Sequence, residues 1–273
     1  MSSRLFDLSD KTIVVSGGSG FLGTQFCVAL AESNACVIAV DLFPFKKNNA
    51  EKEAEQVIKD KIFYEFVDIT SKKSIDLLLD TLKKKFESVD VLINCAAIDP
   101  KFETDDKDAL NAQRFTSFRL DIWKESMDVN ITGTFLLTQA MCSLFEKQQR
   151  GNIINISSIY GVVGPDQRIY NEGNEMNFVK PVTYSICKAA LLGFTRYLAS
   201  YYRGKNIRVN TLTPGGVERN HDPDFVKRYS SKTILGRMAS AKELNGAIVF
   251  LSSDASSYMT GANLIVDGGW TAF

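Results

Sequence analysis

Seven short apolar runs, each followed within a residue or two by glycine, proline, serine, asparagine or aspartate, constrain this chain more than any other feature. They are Thr12–Ser16, Cys36–Val40, Ile62–Val67, Val89–Ile93, Asn152–Ile156, Ile207–Thr213 and Asn263–Val266. Helical patterns separate them. The first runs through Phe26, Leu30 and Ala31, with Asn34 placed to cap its end. Asn48–Lys59, Ile75–Phe86, Met127–Phe145, a helix from Val182, and Lys242–Leu251 follow. Such alternation predicts an α/β fold: a Rossmann-type, doubly wound parallel sheet of about seven strands, with helices on both faces. At 273 residues, with no internal repeat and no linker, a single domain over 1–273 is expected. Pro100–Lys124 is long, charged and dotted with aromatics, and Glu218–Arg237 reads as a polar, mobile segment.

The first run ends in Gly17-Gly18-Ser19-Gly20-Phe21-Leu22-Gly23 and opens into a helix. Strand, glycine turn and helix together form the context that a dinucleotide requires. The glycines permit a tight turn and close backbone approach, and the helix start receives the pyrophosphate. Gly18–Gly23 also fits a phosphate loop, but Thr24 and Gln25 stand where that loop needs Lys and Ser/Thr. The second run ends at Asp41, about 20 residues past the glycines, where a carboxylate can accept from the adenosine ribose hydroxyls. Its charge opposes a 2′-phosphate, and neither Leu42 nor Phe43 is basic, so NAD is expected over NADP. Asp41 read only as a turn residue is the alternative. Asp68, followed by Ile69, can cap the next helix or accept from the adenine amino group. Asn94-Cys95-Ala96-Ala97 leaves room for a ligand at the end of the fourth run.

Ser157–Leu191 carries the candidate chemistry. On a helix from Val182, Tyr184 and Lys188 share a face. A phenol of pKa ~10 exchanges protons poorly at neutral pH, and a nearby ammonium favours the phenolate. Such a pair can pass a proton to or from a carbonyl or alcohol oxygen. Tyr201 and Lys205 repeat the spacing. They lie 17 residues farther on, about 25 Å down the helix at ~1.5 Å per residue, away from the carboxyl edge where open α/β sheets bind ligands. Tyr184 is therefore the candidate.

Several classes are disfavoured. A formal net charge of zero gives no sign of a nucleic-acid partner, and no apolar run nears the ~18 residues of a membrane helix. The cysteines at 27, 36, 95, 142 and 187 are dispersed, with no CxxC, which fits reduced thiols in a cytosolic protein. Cys187 would face away from Tyr184. With one histidine, His221, neither a Ser-His-Asp triad nor a His-rich metal site is available. His221 sits in a polar loop, either solvated or touching substrate.

Ser16–Gly23, Asp41, Asp68, Asn94, Asn130, Ser158, Tyr184, Lys188 and Pro214–Gly215 recur in this order. In this ordered set the chain resembles the short, single-domain branch of the short-chain dehydrogenase/reductase family, from about Leu8 to Trp270. The resemblance implies that Tyr184 is the acid/base and that Ser158 orients the reacting oxygen. It implies that Lys188 binds the nicotinamide ribose and lowers the Tyr184 pKa, and that Asn130 helps hold a water linking Lys188 to solvent. It also implies cofactor contacts from Ser16, Gly17, Gly20, Phe21, Leu22, Gly23, Asp41, Asp68, Ile69, Asn94, Ala96, Tyr184, Lys188, Pro214, Gly215 and Val217, with no metal.

The chain departs from the family pattern in places. The branch usually shows TGxxxGxG, but here Ser16 replaces Thr and the glycines fall at 17, 20 and 23, a spacing closer to nucleotide-sugar epimerases and dehydratases. Arg219 stands where a threonine is usual, which offers it to an anionic substrate. Segments near 98–126, 159–183 and 218–237 are substrate-side insertions or lids. Their polar and aromatic residues, among them Asp166, Arg168, Tyr170, Asn171, Glu172 and Glu175, suit a polyhydroxylated ligand. Ala97-Ile98-Asp99-Pro100-Lys101 and Asp166-Gln167-Arg168-Ile169-Tyr170 resemble the oxidoreductases of bacterial surface-polysaccharide and flagellin glycan modification. The expectation is an NAD(H)-dependent oxidoreductase of a secondary alcohol or ketone on a sugar or sugar phosphate, working as a homodimer or homotetramer. The alternatives are an NAD-retaining epimerase or dehydratase, and a non-catalytic dinucleotide sensor.

Overall fold

The computed structural model describes residues 5–45, 60–100, 113–171 and 178–273. Seven parallel strands form one sheet: β1 (Thr12–Ser16), β2 (Cys36–Asp41), β3 (Ile62–Phe66), β4 (Val91–Asn94), β5 (Gly151–Ile156), β6 (Ile207–Pro214) and β7 (Asn263–Val266). Their spatial order is β3-β2-β1-β4-β5-β6-β7. Between them run α1 (Phe21–Glu32), α2 (Lys72–Lys85), α3 (Leu120–Met127), α4 (Thr134–Gln148), α5 (Val182–Tyr201), α6 (Pro223–Ser230) and α7 (Asn245–Ser252).

Period-two alternation along each strand divides the core between the two faces of the sheet. Val14, Ile38, Leu92, Ile153 and Val209 join a cluster with Leu137, Met141 and Phe145 of α4 and Leu198 of α5. Their strand neighbours Ile13, Val15, Val37, Ile93, Ile154 and Leu212 join Phe26 and Leu30 of α1 and Ile248 and Leu251 of α7. Register then brings the carboxyl ends into line. Ser16 stands beside Val40 and Asn94, and Asn94 beside Asn155. The chain order reverses between β1 and β4, which opens a crevice at that edge.

Most element boundaries shift by a few residues where a cap decides them. Helix α2 begins at Lys72 rather than Ile75 because the Ser71 side chain accepts from Ser74 N. Asn34 takes φ 78°, the left-handed conformation that ends α1. The helix expected over Met127–Phe145 starts earlier, at Leu120, and passes through a π-helical stretch, Asp128–Gly133, that carries Asn130. The helix expected over Asn48–Lys59 lies outside the described residues. Glu218–Arg237, read as polar and mobile, contains α6. Asp222 caps it by accepting from Asp224 N and Phe225 N, Pro223 occupies its first turn, and Tyr229 is buried against Trp270.

Candidate active site

A cleft of about 570 Å³ opens at the crevice between β1 and β4. Gly17, Gly20, Phe21, Leu22 and Gly23 form one wall, with Asp41, Asp68, Ile69, Ala96, Tyr184 and Lys188 around it. Gly17 has φ +68°, and a Cβ there would lie 2.6 Å from Ala96 Cα. A Cβ on Gly23 would lie 1.9 Å from Gly17 O. The glycines thus let the turn, the helix start and the β4 loop meet at backbone contact. Asp41 accepts from Ser19 N at 3.0 Å and from Phe43 N at 3.2 Å, which fixes its carboxylate at the rim. Lys188 is the one cation lining this cleft among the described residues. Backbone amides at a helix start and a fixed carboxylate at the end of β2 fit the adenosine diphosphate half of a dinucleotide.

Two residues expected to touch the cofactor stand behind the wall instead. Ser16 Oγ accepts from Cys95 N at 3.2 Å and Ala96 N at 3.3 Å, bracing the β4 loop. Asn94 Nδ2 donates to Thr138 Oγ1 at 2.9 Å and to Asn155 Oδ1 at 2.8 Å, deep in the core. Asp68 lines the cleft, but the cap of α2 is Ser71. The Asp68 carboxylate closes a local turn by accepting from Thr70 N at 2.8 Å.

A second cavity, of about 750 Å³, adjoins the first. Ser158, Tyr184, Pro214, Gly215 and Val217 line it, and Phe21, Leu22, Asp99 and Tyr184 belong to both. Tyr184 thus stands on the wall where a nucleotide and a second ligand would meet. Ser158 follows β5, and α5 carries Tyr184 and Lys188 past it. A Cβ on Gly161 would come within 2.6 Å of the Lys188 backbone, so its absence permits that approach. Ser157 Oγ ties the two segments by donating to Lys188 O at 2.7 Å.

Lys188 is buried. Its Nζ donates to Ile156 O at 2.8 Å and lies 5.9 Å from the Tyr184 ring centroid. Burial pushes the Tyr184 phenol up to about 12; the Ser158 hydroxyl works against that push and the Asp99 charge adds to it. Lys188 in turn is held below its ordinary value by burial. Desolvation is the largest influence on the phenol, and it acts against the acidification expected of Lys188. Asn130 is buried with its amide committed to Ile98, accepting from Ile98 N at 2.8 Å and donating to Ile98 O at 2.9 Å. The side chain of Cys187 points away from the site, toward Ser126 O of α3.

No pattern or spacing singles out Lys180 in advance. Its ammonium sits 4.1 Å from the centroid of the Tyr184 ring and forms an ion pair with Asp99. Both ends of this strut are anchored. The Gln167 side chain accepts from Lys180 N at 2.8 Å, and Asn130 clamps Ile98, the neighbour of Asp99. An aromatic wall completes the cavity: Tyr160 meets Tyr184 edge-on at 6.4 Å and also meets Trp270, which stacks on Tyr229 at 4.4 Å. Among the described residues, no helix is long and apolar enough to cross a membrane and no His/Cys/Asp/Glu cluster could hold a metal.

A nucleotide cleft and a proton-transfer cavity joined through one tyrosine define an oxidoreductase that interconverts alcohols and carbonyls with a nicotinamide nucleotide. The chain belongs to the short-chain dehydrogenase/reductase family. A family model described as enoyl-(acyl carrier protein) reductase matches residues 20–271. The post-translational flagellin modification protein A of Campylobacter coli is 30% identical over 263 residues, covering 96% of this chain and 99% of that protein. The crystal structure of a short-chain dehydrogenase from Leptospira borgpetersenii with bound NAD+ is 34% identical, with a TM-score of 0.83, covering 99% of this chain and 96% of that one. A gluconate 5-dehydrogenase from Burkholderia cenocepacia, solved with NADP and tartrate, shares the fold at 23% identity and a TM-score of 0.81, covering 100% of both chains.

Proposed function

We propose that this chain is one dinucleotide-binding domain that oxidises a secondary alcohol or reduces a ketone with NAD(H), on a sugar or sugar-phosphate type of substrate. The observation that carries this reading is the shared wall: Tyr184 lines both the glycine-turn cleft and the second cavity, with Ser158 in the latter and Lys188 in the former. A nicotinamide bound there supplies or takes the hydride. Tyr184 gives its phenolic proton to the carbonyl oxygen in reduction and takes it back in oxidation. Ser158 hydrogen-bonds that oxygen and orients it. Lys188 holds the nicotinamide ribose, and Asn130 keeps the 97–99 stretch against the site. The carboxylate of Asp41, with Leu42 and Phe43 after it and no cation beside it among the described residues, favours NAD over NADP. The relative named for flagellin modification supports a glycan-type substrate, as do the polar and aromatic residues of the 159–183 segment. The family resemblance supports a cytosolic homodimer or homotetramer.

Following NADH absorbance over a panel of sugar phosphates, nucleotide sugars and simple ketones tests the reading. Tyr184→Phe should cut turnover by at least ~10²–10⁴-fold while leaving NAD binding nearly intact. Undiminished turnover in that variant ends the assignment. The 17, 20, 23 glycine spacing supports a second reading, an NAD-retaining epimerase, which predicts protein purified with its nucleotide and no net NADH formation.

A further inference from the structure

The second cavity carries three side-chain cations among its lining residues: Lys180, Arg219 and Arg228. Their partners differ. Lys180 is neutralised by Asp99. Arg228 Nε donates to Ile169 O at 2.8 Å and the side chain is otherwise engaged. Arg219 has neither an ion pair nor a side-chain hydrogen bond among the described residues. Its guanidinium lies over the Phe21 ring, 4.7 Å from the centroid. Stacking on an aromatic face holds a guanidinium in place while leaving its in-plane N–H groups unused.

The loop around Arg219 is fixed as well. Arg219 N donates to His221 Nδ1 at 3.0 Å, so a neutral His221 carries its proton on Nε2. The imidazole packs on Phe225 at 5.3 Å, and it too lines the cavity. The remaining carboxylate of the lining, Asp222, is turned to the start of α6, where it accepts two backbone amides. An exposed guanidinium resting on Phe21, with a neutral N–H donor nearby, therefore lines the cavity of Ser158 and Tyr184 with no ion-pair partner among the described residues.

We propose that Arg219, assisted by His221, is an anion subsite, and that the molecule on which Tyr184 acts carries a carboxylate or phosphate held there. The planar fork of arginine matches either group with paired hydrogen bonds. The proposal rests on the oxidoreductase reading and names the substrate class within it. Phe21 also lines the nucleotide cleft, so the diphosphate of the cofactor is the other source of the same chemistry, and the test separates the two.

Thermal unfolding of the NADH-saturated protein would be followed with inorganic phosphate, with gluconate, and with sorbitol, which lacks the carboxylate. NAD+ affinity would be titrated separately on the parent and on Arg219→Gln. The expected result is stabilisation by phosphate and gluconate but not sorbitol. In Arg219→Gln the anion affinity should weaken ~10–100-fold, with NAD+ affinity changed by less than ~3-fold. Equal protection by anions in parent and variant, none in the parent, or a loss confined to NAD+ would overturn the proposal. Tyr184→Phe should keep the anion response, so a failure of the proton-transfer assignment remains distinguishable from a failure of the subsite.

Discussion

Replacing Gly23 with alanine tests how the nucleotide cleft is built. A Cβ at this position would stand 1.9 Å from Gly17 O, 2.8 Å from Gly17 C and 3.0 Å from Gly18 Cα. Carbon and oxygen in contact prefer ~3.3–3.6 Å, so helix α1 and the glycine turn must separate by more than ~1 Å. Every atom met is main chain, and no side chain can swing aside. Overpacking of this kind costs ~1–3 kcal/mol, which for a chain of this size lowers the melting temperature by roughly 2–12 °C. The same displacement moves the amides of the turn away from a bound diphosphate, so NAD affinity should fall by ~10-fold or more. Gly20→Ala is the internal control. Gly20 has φ −72° and ψ 176°, open to any residue, and a Cβ there meets only Gly17 O at 3.1 Å. Its melting temperature should stay within ~2 °C of the parent. Thermal unfolding without nucleotide, followed by fluorescence titration with NAD+, reads both effects. Equal stability losses in the two variants would refute the reasoning, and so would a Gly23→Ala protein that melts and binds like the parent.

Two further outcomes follow from single groups. Asp41→Asn removes a charged acceptor from the cleft rim, so NAD+ affinity should drop ~10–100-fold while NADP+ loses less or gains; titration with both nucleotides checks this, and equal losses for the two would contradict the role given to the carboxylate. Burial raises the Tyr229 phenol from its ordinary 10.0 to about 12. A folded-state pKa raised in this way contributes stability that is complete below pH ~10 and is lost as pH climbs through ~12, up to ~2.7 kcal/mol for this one group. Urea unfolding across that alkaline window should show a falling midpoint, with a shallower fall in Tyr229→Phe; a midpoint independent of pH there would contradict the burial argument.

The strands, the glycine turn and the Ser158/Tyr184/Lys188 set were legible because each depends on local pattern or on spacing within one element. Period-two burial assigns Ile13 and Val15 to one face and Val14 to the other, and the fold obeys it. Less legible were residues whose role depends on partners far along the chain. Ser16 and Asn94 carry the right residue types at the right strand ends, yet their hydrogen bonds run across the sheet rather than toward the cleft. Lys180 pairs with Asp99 across 81 residues of sequence, and it precedes α5, so no helical spacing links it to Tyr184. A cue for α6 was present in Asp222-Pro223, an N-cap followed by a first-turn proline, but the polar run around it masked the signal.

Burial is the largest influence on both Tyr184 and Lys188. Both are desolvated by the packing that brings α5 against β5, and desolvation disfavours the charged form of each: the phenol rises and the ammonium falls. A phenol that stays protonated at neutral pH is ready to donate, which is the reductive direction of the proposed chemistry. Acting as a base instead requires added positive charge close by. Lys180, on the phenol ring, is the nearer of the two ammonium groups, but Asp99 offsets it. Any ligand that draws Asp99 away from Lys180 would therefore shift Tyr184 toward the phenolate.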